Sequence, residues 1–251
     1  MTKTTKTTKK NRIAAILLTL AMTLGMFSAF GVTNASAATD KVSLYSSNIT
    51  FTKYGARTYE VFIQTRDYAY NQEVYVHYNY MDSLGWSSTK AEYVTTLNDG
   101  SKIWKAYFSS FNTQYAIKFV ADGREYWDNN YGRDYNGTER LGTAPITAER
   151  SATPSYNSNT FLVSAVLQNY AYNKNVFVRY TTDNWRTYKD QALNYSNTYD
   201  DGTECWKTVI SDYYGAFNDN FQYALCYQVN GQEYWANNFG ANYNGSFYIH
   251  H

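Results

Sequence analysis

The chain has 251 residues, of which 19% are aromatic, 17% are charged and only two are proline. This length suits one large domain or two small ones, and the many aromatic residues, with no helical periodicity beyond the N-terminal segment, favour an all-β protein. The formal net charge is only +1, which argues against nucleic acid or an anionic membrane as a partner, because either would require a basic face.

Residues 1–37 have the three-part form of a secretory signal peptide. Basic residues precede an apolar run over 13–30, and the segment ends in the small residues Ala35-Ser36-Ala37. The apolar run is also just long enough for an uncleaved membrane anchor. However, polar residues interrupt it, and the small residues that follow it are typical of a signal peptidase cleavage site. We therefore expect cleavage after Ala37 and a secreted, extracellular protein, either free or attached to the cell surface, with no membrane contact after cleavage. Cleavage removes five of the 22 basic residues and none of the 21 acidic ones, so the mature chain is mildly acidic.

The first mature segments predict strands. Alternating runs over 42–45 and 59–63 are followed by a loop and strand over 68–78, which recurs over 170–180. Within the first copy, the inward-facing side chains are predicted to be Val74, Val76 and Tyr78, since alternate residues of a strand share one face.

Four tryptophans divide into two classes. Trp86 and Trp185 follow these repeated strands in polar stretches, and we predict that both lie exposed in loops. Trp104 and Trp206 lie in alternating apolar runs, so we predict that both belong to the core and not to a binding site.

One motif occurs twice. EYWDNNYGRDYNG covers 125–137 and EYWANNFGANYNG covers 233–245, and each follows a predicted hairpin turn, Asp122-Gly123 or Asn230-Gly231. An indole beside several side-chain amides suits a sugar, because the ring covers the C–H face of a pyranose and each amide both donates and accepts hydrogen bonds. The simpler interpretation is that the Trp is core and that the Asn residues close turns.

The duplication predicts two domains. We expect β-sandwiches over 38–142 and 155–251, each with about eight strands. The segment 143–154 has two prolines and no periodicity, so it is predicted to be a linker.

No catalytic constellation is evident. The three histidines form no triad or H-E-x-x-H motif, and carboxylates in the first copy of the motif are replaced in the second, so we predict a non-enzyme without a cofactor. Calcium bound by the Asp/Asn cluster is a minor alternative, and Ala236 argues against a metal common to both copies. Cys205 and Cys226 have no counterparts in the first half, so the fold is not expected to depend on a disulfide.

The combination of these motifs resembles carbohydrate-binding module family 21, the starch- and glycogen-binding module. The resemblance covers nearly all of both halves and is closest in the second, through Thr182-Asp183-Asn184-Trp185 and Gly240-Ala241-Asn242-Tyr243. It implies an immunoglobulin-like β-sandwich in each half and ligand contacts at ten positions: Tyr70, Trp86, Trp127, Asn129 and Asp134 in the first copy, and Tyr172, Trp185, Trp235, Asn237 and Asn242 in the second. The first copy departs from the family at Asp134, where Asn is usual, and in a longer loop before Trp86. The second departs at Ala236, where Asp is usual, and this change is expected to alter a turn and not a sugar contact.

The expected function is non-catalytic binding of α-1,4-glucans, namely starch, glycogen and maltooligosaccharides. Two modules on one chain would act together on a repeating polymer. Two alternatives remain: a structural or adhesive protein of the cell surface, and a binding subunit that accompanies amylolytic enzymes in a complex.

Overall fold

The computed structural model describes residues 41–51, 55–66, 69–149, 160–211 and 221–244. The predicted signal peptide lies outside these ranges. Within them the regular elements are β-strands, apart from a 3₁₀ turn at Asn238–Gly240, so the all-β prediction is confirmed. The same ranges contain no helix that is both long enough and apolar enough to span a membrane.

The first half of the chain forms two antiparallel four-stranded sheets. In one sheet the strand order is β1-β2-β6-β5, and in the other it is β4-β3-β7-β8. The strands are β1 (Val42–Phe51), β2 (Arg57–Thr65), β3 (Gln72–Met81), β4 (Gly85–Lys90), β5 (Glu92–Thr96), β6 (Lys102–Ser110), β7 (Tyr115–Ala121) and β8 (Arg124–Asp128).

The second half repeats this order. The two sheets of the second half have the strand orders β9-β10-β14-β13 and β12-β11-β15-β16, which are the orders of the first half with eight added to each strand number. A short β17 also pairs with β15. The strands are β9 (Ile146–Ala148), β10 (Phe161–Leu167), β11 (Lys174–Thr181), β12 (Lys189–Ala192), β13 (Asn194–Thr198), β14 (Glu204–Ile210), β15 (Gln222–Val229), β16 (Gln232–Ala236) and β17 (Tyr243–Asn244).

Each half encloses its own core between its two sheets. Val74 and Val76 are fully buried in the first core, and Tyr78 packs against it, as predicted from their alternation. Trp104 packs against the first core and Trp206 against the second, which confirms their predicted association with the core, although both are only partly buried. Cys205 and Cys226 are buried and unbonded, and they lie on β14 and β15, in different sheets.

The predicted linker over 143–154 is wrong for its described part, 143–149. Thr143 N donates to Leu44 O at 2.9 Å, and Ile146–Ala148 forms β9, which pairs with β10. Ile146 and Ala148 are both buried, so this short run supplies two apolar side chains and an edge strand to the second half. A second half that begins at residue 155, as predicted, would lack that strand.

The two halves also meet through aromatic side chains. The ring of Phe239, from the second copy of the motif, lies 5.1 Å from the Phe62 ring and 5.7 Å from the Tyr45 ring, both in the first half. Phe62 is buried, so the loop that carries Phe239 covers part of the outer face of the β1-β2-β6-β5 sheet.

Asp128 ties the first copy of the motif to β1. Its Oδ2 accepts hydrogen bonds from Leu44 N at 2.9 Å and from the Tyr135 hydroxyl at 2.6 Å, and its Oδ1 accepts one from Asn130 N at 3.2 Å. These bonds join the motif loop to β1, so this carboxylate holds the turn in place. The second half has Ala236 at this position.

Asp128→Ala is expected to destabilise the protein by about 2–3 kcal/mol, because buried donors would lose their acceptor. Urea unfolding followed by tyrosine and tryptophan fluorescence measures the change. Glu125→Ala is the control, since Glu125 lies on the same strand and makes an exposed ion pair with Lys118, worth roughly 0–1 kcal/mol. Equal losses in the two variants would show that Asp128 has no anchoring role.

Candidate functional site

The two copies of the motif fold into the same loop after β8 and after β16. Asp134 N donates to Asn129 O at 2.8 Å, and Asn242 N donates to Asn237 O at the same distance. Three non-glycine residues of each loop have positive φ, a region that Asn and Asp enter more easily than most residues. They are Asn130 (51°), Tyr131 (59°) and Asp134 (57°) in the first loop, and Asn238 (51°), Phe239 (56°) and Asn242 (57°) in the second.

The first Asn of each loop closes the turn. Asn129 Oδ1 accepts from Gly132 N at 2.9 Å, and Asn237 Oδ1 accepts from Gly240 N at 3.1 Å. The simpler interpretation of the motif is therefore correct for these two carbonyl oxygens. Their predicted sugar contacts would have to come from the amide nitrogens.

The first aromatic face, which we define as His77, Trp86, Lys118 and Trp127, lies on the outer side of the β4-β3-β7-β8 sheet. The His77 ring stacks on Trp86 with centroids 5.1 Å apart and meets Trp127 edge-on at 5.8 Å. Lys118 Nζ lies 5.7 Å from the centroid of the Trp127 ring. Trp86 is 42% exposed, so a flat apolar surface remains open to solvent.

Trp86 does not lie in a loop, as the sequence predicted, but in strand β4. It pairs with Asn79 in the β3–β4 register, and Gly85, at φ 74°, ends the preceding turn. The polar residues around Trp86 hid the strand, because this edge strand covers no core. Its position on a sheet still leaves the indole half exposed.

The surroundings of His77 favour the neutral form of its imidazole. Burial lowers the pKa of His77, the Lys118 charge lowers it further, and Asp134 opposes both. Burial raises the pKa of Asp134. This electrostatic coupling between Asp134 and His77 associates the predicted site residue Asp134 with the first aromatic face.

The second aromatic face, which we define as Phe177, Arg179, Tyr188 and Trp235, occupies the equivalent sheet of the second half. The Arg179 guanidinium lies 4.3 Å from the centroid of the Tyr188 ring and 5.2 Å from that of Trp235. Phe177 meets Trp235 edge-on at 5.7 Å, and Trp235 is 38% exposed. Arg179 thus takes the place that His77 has in the first half.

Asp190 fixes Arg179 over these rings. Its two carboxylate oxygens accept from Arg179 Nε at 2.7 Å and from a terminal nitrogen at 2.6 Å, a bidentate pair. This hydrogen bonding raises the pKa of Arg179 above its already high ordinary value. The guanidinium is therefore a fixed cation that holds the aromatic rings in place.

Gln222 brings together two predicted site residues of the second half. Its Oε1 accepts from Trp185 Nε1 at 2.8 Å and from Asn242 Nδ2 at 3.0 Å. Trp185 lies in a turn between β11 and β12 at φ 66°, which confirms its predicted loop position. It is only partly exposed, so the predicted exposure is not reached. Its backbone N donates to Thr181 Oγ1 at 3.0 Å.

Tyr70 and Tyr172 lie apart from these groups. They are 96% and 97% exposed, and neither ring packs against another aromatic ring within the described ranges. The structure leaves both at the tips of loops that precede β3 and β11.

Several members of the two faces were not predicted from the sequence. The alternation that buries Val74 and Val76 places His77 outward, so His77 could have been found by the same rule. The same rule places Arg179 outward, because Val176 and Val178 are buried. The role of Gln222 carried no such signal, because its partners Trp185 and Asn242 are distant in sequence.

The two aromatic faces present partly exposed indoles beside His77 and Lys118 in the first half and beside Arg179 in the second. Gln222 and Asn242 add amide groups in the second half. In the described part of the chain, no group of three or more His, Cys, Asp or Glu side chains is arranged to hold a metal ion.

Comparison with known proteins relates the second half to a sugar-binding family. Residues 141–245 match the family model of the carbohydrate/starch-binding module (family 21). Glycogen-binding subunit 76A of Drosophila melanogaster is 30% identical over 99 residues, which are 39% of this chain and 14% of that protein. Protein phosphatase 1 regulatory subunit 3B of Bos taurus is 35% identical over 81 residues, which are 31% of this chain and 28% of that protein. The matches thus span less than a third of these curated relatives.

A solved structure gives a further likeness. The solution structure of the carbohydrate-binding module of the muscle glycogen-targeting subunit of protein phosphatase 1 is 25% identical, with a TM-score of 0.34. That likeness covers 39% of this chain and 73% of the solved one. The family match begins at residue 141 and so includes β9.

Protonation of His77 is expected to weaken the fold at acid pH. Because its folded-state pKa is lowered, the neutral ring is favoured in the native state. Its contribution to stability is present above the ordinary pKa of histidine and is lost as pH falls through the lowered one. Melting temperatures from pH 8 to pH 5 should therefore fall less for His77→Gln than for the unaltered protein. Parallel curves would contradict this.

Proposed function

We propose that the protein binds α-1,4-glucans such as starch and glycogen, and that it does so without hydrolysing them. One observation carries the proposal: within the segment that matches the starch-binding family, Gln222 holds together Trp185 and Asn242. These are residues to which the sequence resemblance assigned ligand contacts.

The local chemistry supports a sugar ligand. The indole rings of Trp185 and Trp235 can cover the apolar faces of glucose rings, and the Asn242 amide can pair with neighbouring hydroxyls. The open sites favour recognition of a polymer surface over enclosure of a small molecule, since deep pockets bury most of a small ligand.

The first half is proposed to be a second immunoglobulin-like module of the same kind. Its strand order, its motif loop and its outward pair Trp86 and Trp127 support this. Its site differs chemically, because His77 and Asp134 stand where the second half has Arg179 and Asn242. We infer that the two modules bind the same class of sugar with different affinities.

We propose that the protein acts outside the cell. A secreted protein would bind glucan outside the cell, alone or beside amylolytic enzymes. An adhesive cell-surface protein is the alternative, and its exposed tyrosines would then contact protein partners. Retention on insoluble starch but not on cellulose, with no reducing sugar released, separates glucan binding from both adhesion and catalysis.

Trp185→Ala is expected to weaken glycogen binding with little loss of stability. Stacking on an aromatic platform is worth about 1–3 kcal/mol by analogy with base stacking. Trp206→Ala is the contrasting variant: its indole packs on the core, so it should cost about 3 kcal/mol of folding stability. Affinity electrophoresis in glycogen gels and thermal unfolding measure the two effects. Similar losses of melting temperature would show that the Trp185 indole is structural.

The avidity of the two modules is best tested within the intact chain. Division into two halves would separate β9 from the contacts of residues 141–144 with β1 and would expose Phe62. Trp86→Ala and Trp185→Ala each disable one site, and the unaltered chain should bind granular starch roughly 10²-fold more tightly than either variant.

Maltoheptaose is too short to bridge two modules, so the tighter binding of the unaltered chain relative to the two variants should vanish on this ligand. Added salt should have little effect on granule binding, since neutral hydrogen bonds and stacking are not screened. If one variant binds granules as tightly as the unaltered chain, the affected module does not contribute.

A further inference from the structure

A cleft of about 360 Å³ lies between the two halves. The first half supplies one wall through Tyr45, Phe62 and residues 95–98 at the end of β5. The second half supplies the other through Trp235 and residues 237–240. The described residues that line the cleft include no charged side chain, in a chain with 17% charged residues. A cleft of this composition does not suit an ion or a charged peptide.

The cleft is closed at one side and open at another. Phe239 packs on Tyr45 and Phe62 and fills the space between the halves there. Thr96 and Asn98 are exposed, and Trp235 is 38% exposed. Its mouth is therefore accessible to a ligand from solvent, and its lining combines an exposed indole with hydroxyl and amide groups.

This lining matches an uncharged, polyhydroxylated ligand that has an apolar face. The Trp235 ring supplies a stacking surface, while Thr96 and Asn98 supply donors and acceptors. The volume lies at the small end of the range of about 300–1,000 Å³ for ligand pockets. It suits a short piece of sugar chain and not a long stretch of polymer.

We propose that this interdomain cleft is an additional sugar site that takes the end of an α-glucan chain, and that first-half residues complete it. The inference rests on the proposed function, because it assigns the same class of ligand. Trp235 lines both this cleft and the depression beside Arg179. A glucan that crosses the second aromatic face thus reaches the cleft by passing over one indole.

Thr96 and Thr198 provide a matched pair for the test. Each hydroxyl lies 2.9 Å from a tyrosine hydroxyl at the equivalent position, Tyr93 or Tyr195, and both threonines are exposed. Thr96 lines the cleft and Thr198 does not. The native Cys205 and Cys226 are buried, so a new cysteine at either position should react selectively with a thiol reagent.

The experiment measures the rate of thiol modification of Thr96→Cys and Thr198→Cys in the full mature chain. Maltotriose at about ten times its dissociation constant should slow modification at position 96 roughly tenfold, which is the fall in the free fraction by mass action. The rate at position 198 should not change. Asn98→Cys, at the same mouth, repeats the test if Thr96→Cys folds poorly.

Equal rates with and without maltotriose at position 96, in a protein that still binds glycogen, would overturn the cleft site and leave the proposed function intact. Equal protection at positions 96 and 198 would also overturn it, since the effect would not be local. If the protein binds no glycogen, both the proposed function and the cleft site are wrong.

Discussion

The left-handed turn after β8 and after β16 is the constraint on which the arrangement of the two halves depends. Three non-glycine residues of each turn have positive φ, and a backbone hydrogen bond of 2.8 Å closes it. The turn sets the direction of the chain beyond the last indole of each hairpin, and in the second half it directs Phe239 onto Phe62. Gly132 and Gly240 of these turns also have positive φ, and a residue with a side chain at either position would strain the turn.

The two copies of this turn differ in what holds them against the rest of the protein. Tyr131 of the first turn is 75% exposed, whereas its counterpart Phe239 packs between the halves. Asp128 anchors the first turn to β1, and Ala236 at the same place has no side-chain acceptor for such bonds. In the second half the turn instead contacts the first half, through the Phe239 ring on Tyr45 and Phe62.

The all-β class followed from composition and alternation, and alternation also placed Trp104 and Trp206 against the cores. It did not separate them from Trp185 by exposure, since all three are partly buried. The loop predicted for Trp86 was wrong because an edge strand with no buried face lacks that alternation. The linker was wrong over 143–149 because its composition resembles a loop, while its backbone pairs with both halves. The Gln222 contact could not be predicted, since it joins the start of β15 to residues 37 and 20 positions away in the chain. Whether the ten predicted residues contact sugar stays a prediction.

The most direct test of glucan recognition follows the indole N–H resonances of the six tryptophans by two-dimensional NMR during titration with maltoheptaose. We expect the signals of Trp185 and Trp235 to shift with saturation while those of Trp104 and Trp206 stay in place, and we expect no shift with cellohexaose. No shift of Trp185 with maltoheptaose, or equal shifts with cellohexaose, would contradict the assignment of the protein as an α-glucan binder.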